Sequence, residues 1–141
     1  FQLEFTKVST SSRKTIEIFT FPLPIPHNSN KYQSINMVRH IHSVEEFNAL
    51  MEESKSKPVL VDFFAVWCGP CKAIAPFVEM LEKKYPDVIF AKVDTDDLSQ
   101  VARQQHISAM PTFKIYKNGK VVGEMLGANP EGLEKLVLSN R

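Results

Sequence analysis

The run Pro58-Val59-Leu60-Val61-Asp62-Phe63-Phe64-Ala65-Val66-Trp67-Cys68-Gly69-Pro70-Cys71 decides how this chain is read. Residues 58–66 are apolar except for Asp62, and a short, nearly continuous apolar run is what a central strand buried on both faces looks like. From Lys72 to Tyr85 the period changes. Ile74, Phe77, Val78 and Leu81 recur at helical spacing, and Pro76 predicts a kink in that helix. A buried strand passing straight into a helix puts Cys68 and Cys71 in the crevice where open α/β sheets hold their sites.

Working outward, Val38–Ile41 reads as a short strand. Ser43 with Glu46 is a capping-box pattern that opens a helix running to about Glu53, with Val44, Phe47, Leu50 and Met51 as its apolar stripe. Downstream, Asp87–Val93 reads as a strand, and Asp97–Gln105 as a modest helix capped by Asp96 or Asp97. Thr112–Lys117 and Lys120–Leu126 are strands joined through Asn118-Gly119, the strongest short-range hairpin signal. Asn129 followed by Pro130 starts a last helix to about Leu138. The order β-α-β-α-β-α-β-β-α predicts an α/β fold: an open mixed sheet of about five strands, mostly parallel at its centre, with an antiparallel hairpin edge and helices on both faces.

The reactive form of a cysteine is the thiolate, and free N–H groups at a helix start favour negative charge. Cys68, the first of the pair, is therefore the expected attacking nucleophile. Cys71, one turn in and more shielded, is the expected resolving thiol that breaks a mixed disulfide. Gly69 permits close backbone approach of a partner, and Pro70 stiffens the first helical turn. Neither carries a charge that would favour the dithiol form, so the pair is expected to give its electrons away as a reductant. Asp62 is the one charged residue in the apolar run. Burial should raise its pKa, and it is placed to accept a proton from Cys71 during resolution. Lys57, just ahead of the strand, is placed to tune that carboxylate, with a plain surface lysine as the equal alternative. Trp67 is read as an exposed apolar rim for docking protein substrates, and Met110-Pro111-Thr112 as a strand-opening proline that can adopt cis geometry, trans being the default from the residues alone.

The totals bound the alternatives. The chain has 141 residues, 43% hydrophobic and 23% charged, with a net charge of +1, so no basic field argues for nucleic acid or a membrane surface. Its two cysteines are too few for a disulfide framework, and no second C-x-x-C completes a zinc site. His40 and His42 alternate and would share one face of a strand, a weak ligand pair on that spacing. Residues 1–36 lack Gly, Cys and clear periodicity and carry alternating Pro22, Pro24 and Pro26. They read as a disordered extension ahead of a domain spanning 37–141. Three origins are open for it: a transit-peptide remnant, a native tail, or sequence upstream of a natural start at Met37, which is favoured.

From Met37 to Arg141 the residues resemble thioredoxin, of the small eukaryotic cytosolic type. The match is carried by Val61-Asp62-Phe63-Phe64-Ala65, Trp67-Cys68-Gly69-Pro70-Cys71-Lys72, Val93-Asp94, Met110-Pro111-Thr112-Phe113, Gly123-Glu124 and Gly127-Ala128-Asn129. The resemblance implies a thioredoxin-like fold and a general protein-disulfide reductase. It makes Cys68 the nucleophile, Cys71 the resolver, Asp62 the buried acid and Pro111 a cis-proline. Trp67, Ala109, Met110, Gly127 and Ala128 fall where the family docks substrates. It also implies a monomer with no bound cofactor, re-reduced at the expense of NADPH by a flavin-dependent thioredoxin reductase, and a cytoplasmic location, or an organellar one if residues 1–36 are a transit remnant. Gln105 and Ala109 stand in the segment where vertebrate cytosolic members carry extra cysteines, which argues against regulation through such cysteines. Competing readings are a binding module that uses this surface without turnover and a structural zinc or iron–sulfur protein.

Overall fold

The computed structural model describes residues 38–141, so the extension expected over residues 1–36 lies outside the described residues. Val59–Phe64, the core of the deciding run, is the second strand, β2; β1 is Arg39–Ile41 and β3 is Ile89–Asp94. The helices α1 (Val44–Glu53) and α2 (Gly69–Lys84) flank β2 in sequence, and α3 (Ser99–Gln104) follows β3. The chain closes with β4 (Thr112–Lys117), β5 (Lys120–Leu126) and α4 (Pro130–Asn140).

The five strands form one sheet in the order β1-β3-β2-β4-β5. Strand β2 is central, parallel to β3 on one side and antiparallel to β4 on the other. The sheet is therefore less parallel than its helix-strand alternation predicts: after α3 the chain returns beside β2 in the reverse direction, and the hairpin β4–β5 makes up that half. Alternate residues of β2 feed two cores. Leu60 joins Ile74, Val78, Leu81, Phe113, Leu133 and Val137 on the face covered by α2 and α4. Val59, Val61 and Phe63 join Phe47, Leu50, Val93 and Val101 on the face covered by α1 and α3. Helices thus lie on both faces, as expected.

The element starts show which local signals held. Ser43 caps α1, its Oγ accepting from the Glu46 N–H at 3.1 Å, while the Glu46 carboxylate reaches back to the His42 N–H at 2.8 Å. Asn129 caps α4 through the Gly132 N–H at 3.2 Å, with Pro130 in the first turn. The Asn118-Gly119 turn takes φ values of 52° and 71°, the left-handed pair that a two-residue hairpin of this type requires.

α2 begins at Gly69, with Cys68 itself as the N-cap and Pro70, lacking an N–H, in the first turn where none is needed, in line with a helix that starts at the cysteine pair. Pro76 lies inside α2 without ending it. Two other boundaries are corrected. α3 begins at Ser99, and neither Asp96 nor Asp97 caps it; Leu98 occupies the cap position without a side-chain bond. The Asp96 carboxylate is engaged elsewhere, by Trp67. β3 begins at Ile89, where pairing with Val59 starts, because Asp87 and Val88 lie in the turn closed by the Val88 N–H on the Tyr85 carbonyl at 3.0 Å.

Candidate active site

Strand β2 ends at Phe64, and the next residues carry the chain over the sheet edge to the start of α2. Cys68 and Cys71 are joined as a disulfide, with Cα atoms 5.3 Å apart. The backbone N–H of Cys71 points at Cys68 Sγ at 3.2 Å, so this sulfur occupies the place of an N-cap oxygen. A thiolate there would accept that N–H and lie at the positive end of a sixteen-residue helix. Both effects favour the charged form of Cys68 and not of Cys71. Shielding separates the two less than expected, at 5% exposure for Cys68 and 4% for Cys71. Their distinction lies in the cap geometry and in what each faces.

Cys71 faces a cleft of about 250 Å³ that it lines together with Asp62, Ala65, Lys72 and Lys92. Asp62 is 5% exposed, in the middle of the central strand, and its Oδ1 is buried without a hydrogen-bond partner. Burial raises its pKa from 3.8 to about 7, opposed by the positive charge of Lys92. A solvent-facing Asp on an edge strand is thereby excluded. The lysine that acts on Asp62 is not Lys57, which is exposed in the turn after α1. It is Lys92, directly opposite Asp62 in the β2–β3 register. Lys57 was the neighbour along the chain, whereas Lys92 is the neighbour across the sheet, thirty positions on. The signal that could have found Lys92 is its place as the one charged residue within Ile89-Phe90-Ala91-Lys92-Val93.

Trp67 is 65% exposed, and its indole Nε1 donates to Asp96 Oδ2 at 2.8 Å, which pins the ring at the rim. The Met110–Pro111 peptide is cis. Met110 packs on the cluster of Ala65, Cys68 and Cys71. The Gly127 N–H donates to the Pro111 carbonyl at 2.8 Å, so the loops holding Ala109, Met110, Gly127 and Ala128 meet beside the cysteines, with Ala109 and Ala128 exposed. Gly127 adopts a φ of 85°, a left-handed conformation that suits glycine. Val66 and Leu126, the chain neighbours of Trp67 and Gly127, are exposed as well; neither was singled out from the sequence.

His40 and His42 share one face, their ring centroids 4.1 Å apart. Among the described residues no group of three or more His, Cys, Asp and Glu side chains is placed to hold a metal ion. The redox group is the Cys68–Cys71 pair.

Residues 38–139 match the Thioredoxin family. The chain is 48% identical over 101 residues to thioredoxin 1 of Plasmodium falciparum, covering 72% of this chain and 95% of that protein. It is 46% identical to thioredoxin-1 of Schizosaccharomyces pombe, covering 74% and 99%. The X-ray structure of Fasciola hepatica thioredoxin superposes with a TM-score of 0.71 at 42% identity, covering 73% of this chain and 99% of that one.

Proposed function

The chain belongs to the thioredoxin family, as a reductase that cycles Cys68 and Cys71 between dithiol and disulfide, and we propose the following course for that cycle. The Cys68 thiolate attacks a sulfur of a target disulfide, forming a mixed disulfide and expelling one target thiolate, which takes up a proton from solvent. Cys71 then loses its proton to the Asp62 carboxylate, directly or through a water in the cleft, and attacks Cys68 Sγ. The second target thiolate leaves and is protonated. Two electrons and two protons pass to the target, and the protein is left as the Cys68–Cys71 disulfide. The observation that carries this course is Asp62: buried, ionising near neutral pH, and lining one cleft with Cys71.

Trp67, Ala109, Met110, Gly127 and Ala128 form the docking rim for an extended segment of the target. In support, the exposed Trp67 and the two loops tied by the Gly127–Pro111 hydrogen bond surround the disulfide. An NADPH-dependent flavin thioredoxin reductase returns the pair to the dithiol. The full chain acts in the cytoplasm; import into an organelle is the alternative, and imaging of a full-length fusion tells the two apart.

The test is reductase-coupled NADPH consumption with a disulfide-bonded protein as substrate. Consumption is expected to be abolished by Cys68→Ser. Cys71→Ser should accumulate a trapped mixed disulfide, and Asp62→Asn should slow resolution about 100-fold or more at pH 7, in line with loss of a positioned base. A chain that keeps its biological role with both cysteines changed to serine would instead be a binding module.

A further inference from the structure

Three adjacent strands bring three side chains into one row. His40 of β1 stands opposite Lys92 of β3, and Lys92 stands opposite Asp62 of β2. Residues paired across neighbouring strands project to the same face, here the face covered by α2. Neighbouring strands lie about 4.8 Å apart, so a lysine side chain on the middle strand reaches either flank. Both flanking residues offer an unsatisfied acceptor: Asp62 Oδ1 and His40 Nε2 are each buried with no hydrogen-bond partner. Lys92 and His40 both lie near the Phe64 ring, and Phe64 lines one cleft with Asp62 and Lys92. The Lys92 ammonium is 5.8 Å from the Phe64 ring centroid, and the His40 ring centroid is 5.6 Å from it. Phe64 in turn packs on Ala65, Cys68 and Cys71.

A buried acceptor without a donor is costly, and here one lysine on the middle strand is flanked in register by two of them. We propose that His40 is a positioning residue for the resolving step: its Nε2 holds the Lys92 ammonium while Asp62 is protonated, and Lys92 crosses to Asp62 when that carboxyl ionises. The inference rests on Asp62 being the proton acceptor for Cys71. When Asp62 has taken the proton it no longer attracts the lysine, and neutral His40 gives the ammonium a second place to bond. Protonation of His40 removes that place and adds a like charge, driving Lys92 toward Asp62 and favouring the carboxylate. Burial, His42 and Lys92 push the His40 pKa below its ordinary value, while Asp94 and Asp97 pull it up. Lys72 of α2 lines the same cleft as Asp62 and Lys92. His40 is thus set to be neutral, and an acceptor, at neutral pH.

The experiment is an NMR titration of the Asp62 carboxyl carbon and the His40 imidazole in the oxidised full chain, which needs no turnover. In His40→Phe the Asp62 midpoint should fall from about 7 by about half a unit or more, because Lys92 then has only the carboxylate to bond. His40→Gln, which keeps an acceptor, should restore it. Lys92→Met should raise the His40 midpoint, and in that background His40→Phe should leave Asp62 unmoved. An Asp62 midpoint in folded His40→Phe equal to that of the unaltered chain overturns the inference, as does a His40→Phe effect that persists without Lys92. Should His40→Phe fail to fold, an unchanged His40 midpoint in Lys92→Met overturns it. Normal resolution by Asp62→Asn would refute the proton-acceptor role while leaving the coupling along the row measurable.

Discussion

At the scale of single residues, Asp62 is the carboxylate whose ionisation the fold alters most among the described residues. Its carboxyl is held at about 7 against 3.8 in the unfolded chain, chiefly by burial. Between those values the folded protein keeps a proton that the unfolded chain releases. Stability therefore falls as pH rises from about 4 to about 7 and levels off above. Replacing Asp62 by Asn removes that loss. The variant is expected to be more stable than the parent at pH 8.5, by up to about 4 kcal/mol, and about equal at pH 4, as thermal unfolding at the two pH values would show. A gain at pH 4 as large as at pH 8.5 would mean that the carboxylate is not the cause. Asp62 was legible in the sequence because a lone charge in an apolar run has few bland explanations. Lys92 was not, because it meets Asp62 only through strand pairing, and chain proximity pointed to Lys57 instead.

At the scale of elements, local rules succeeded where the partner is local. The Ser43 and Asn129 caps bond within four residues of themselves, and the Asn118-Gly119 turn takes its left-handed φ pair from its own two residues; all three were read correctly. The start of α3 was misread because a capping carboxylate has tertiary competitors, and Asp96 went to Trp67. The hairpin turn has a support that no local rule reveals. Ser54, buried just after α1, donates through Oγ to the Met51 carbonyl at 2.5 Å and accepts the Gly119 N–H at 2.7 Å. Its carbonyl also accepts the Asn118 N–H at 2.8 Å. Ser54→Ala leaves the Gly119 N–H unpaired in a part-buried site and should cost about 1–3 kcal/mol, read as a lower urea midpoint with an unchanged slope. A neutral result would show that water replaces the hydroxyl.

At the scale of the whole molecule, the proposed docking rim is assembled from loops far apart in the chain: the Trp67 turn, the Met110–Pro111 loop and the loop at Gly127. Trp67 is exposed and contributes to no core cluster, so Trp67→Ala should leave the fold intact. It should raise KM for protein disulfides about tenfold or more, as expected for an aromatic anchor, while a small disulfide is reduced as before. Equal losses on both substrates would assign Trp67 to the chemistry rather than to docking. The sequence by itself determined the order of elements, the buried central strand, the cysteine pair at a helix start and the acid beneath it, because hydrophobic period, capping and turn chemistry act over a few residues. Only the tertiary structure decided that the hairpin lies antiparallel beside β2, that Lys92 faces Asp62, and that His40 stands at the end of the same row. Those relations come from the register between strands, and register is settled by how both faces of the sheet bury their side chains at once.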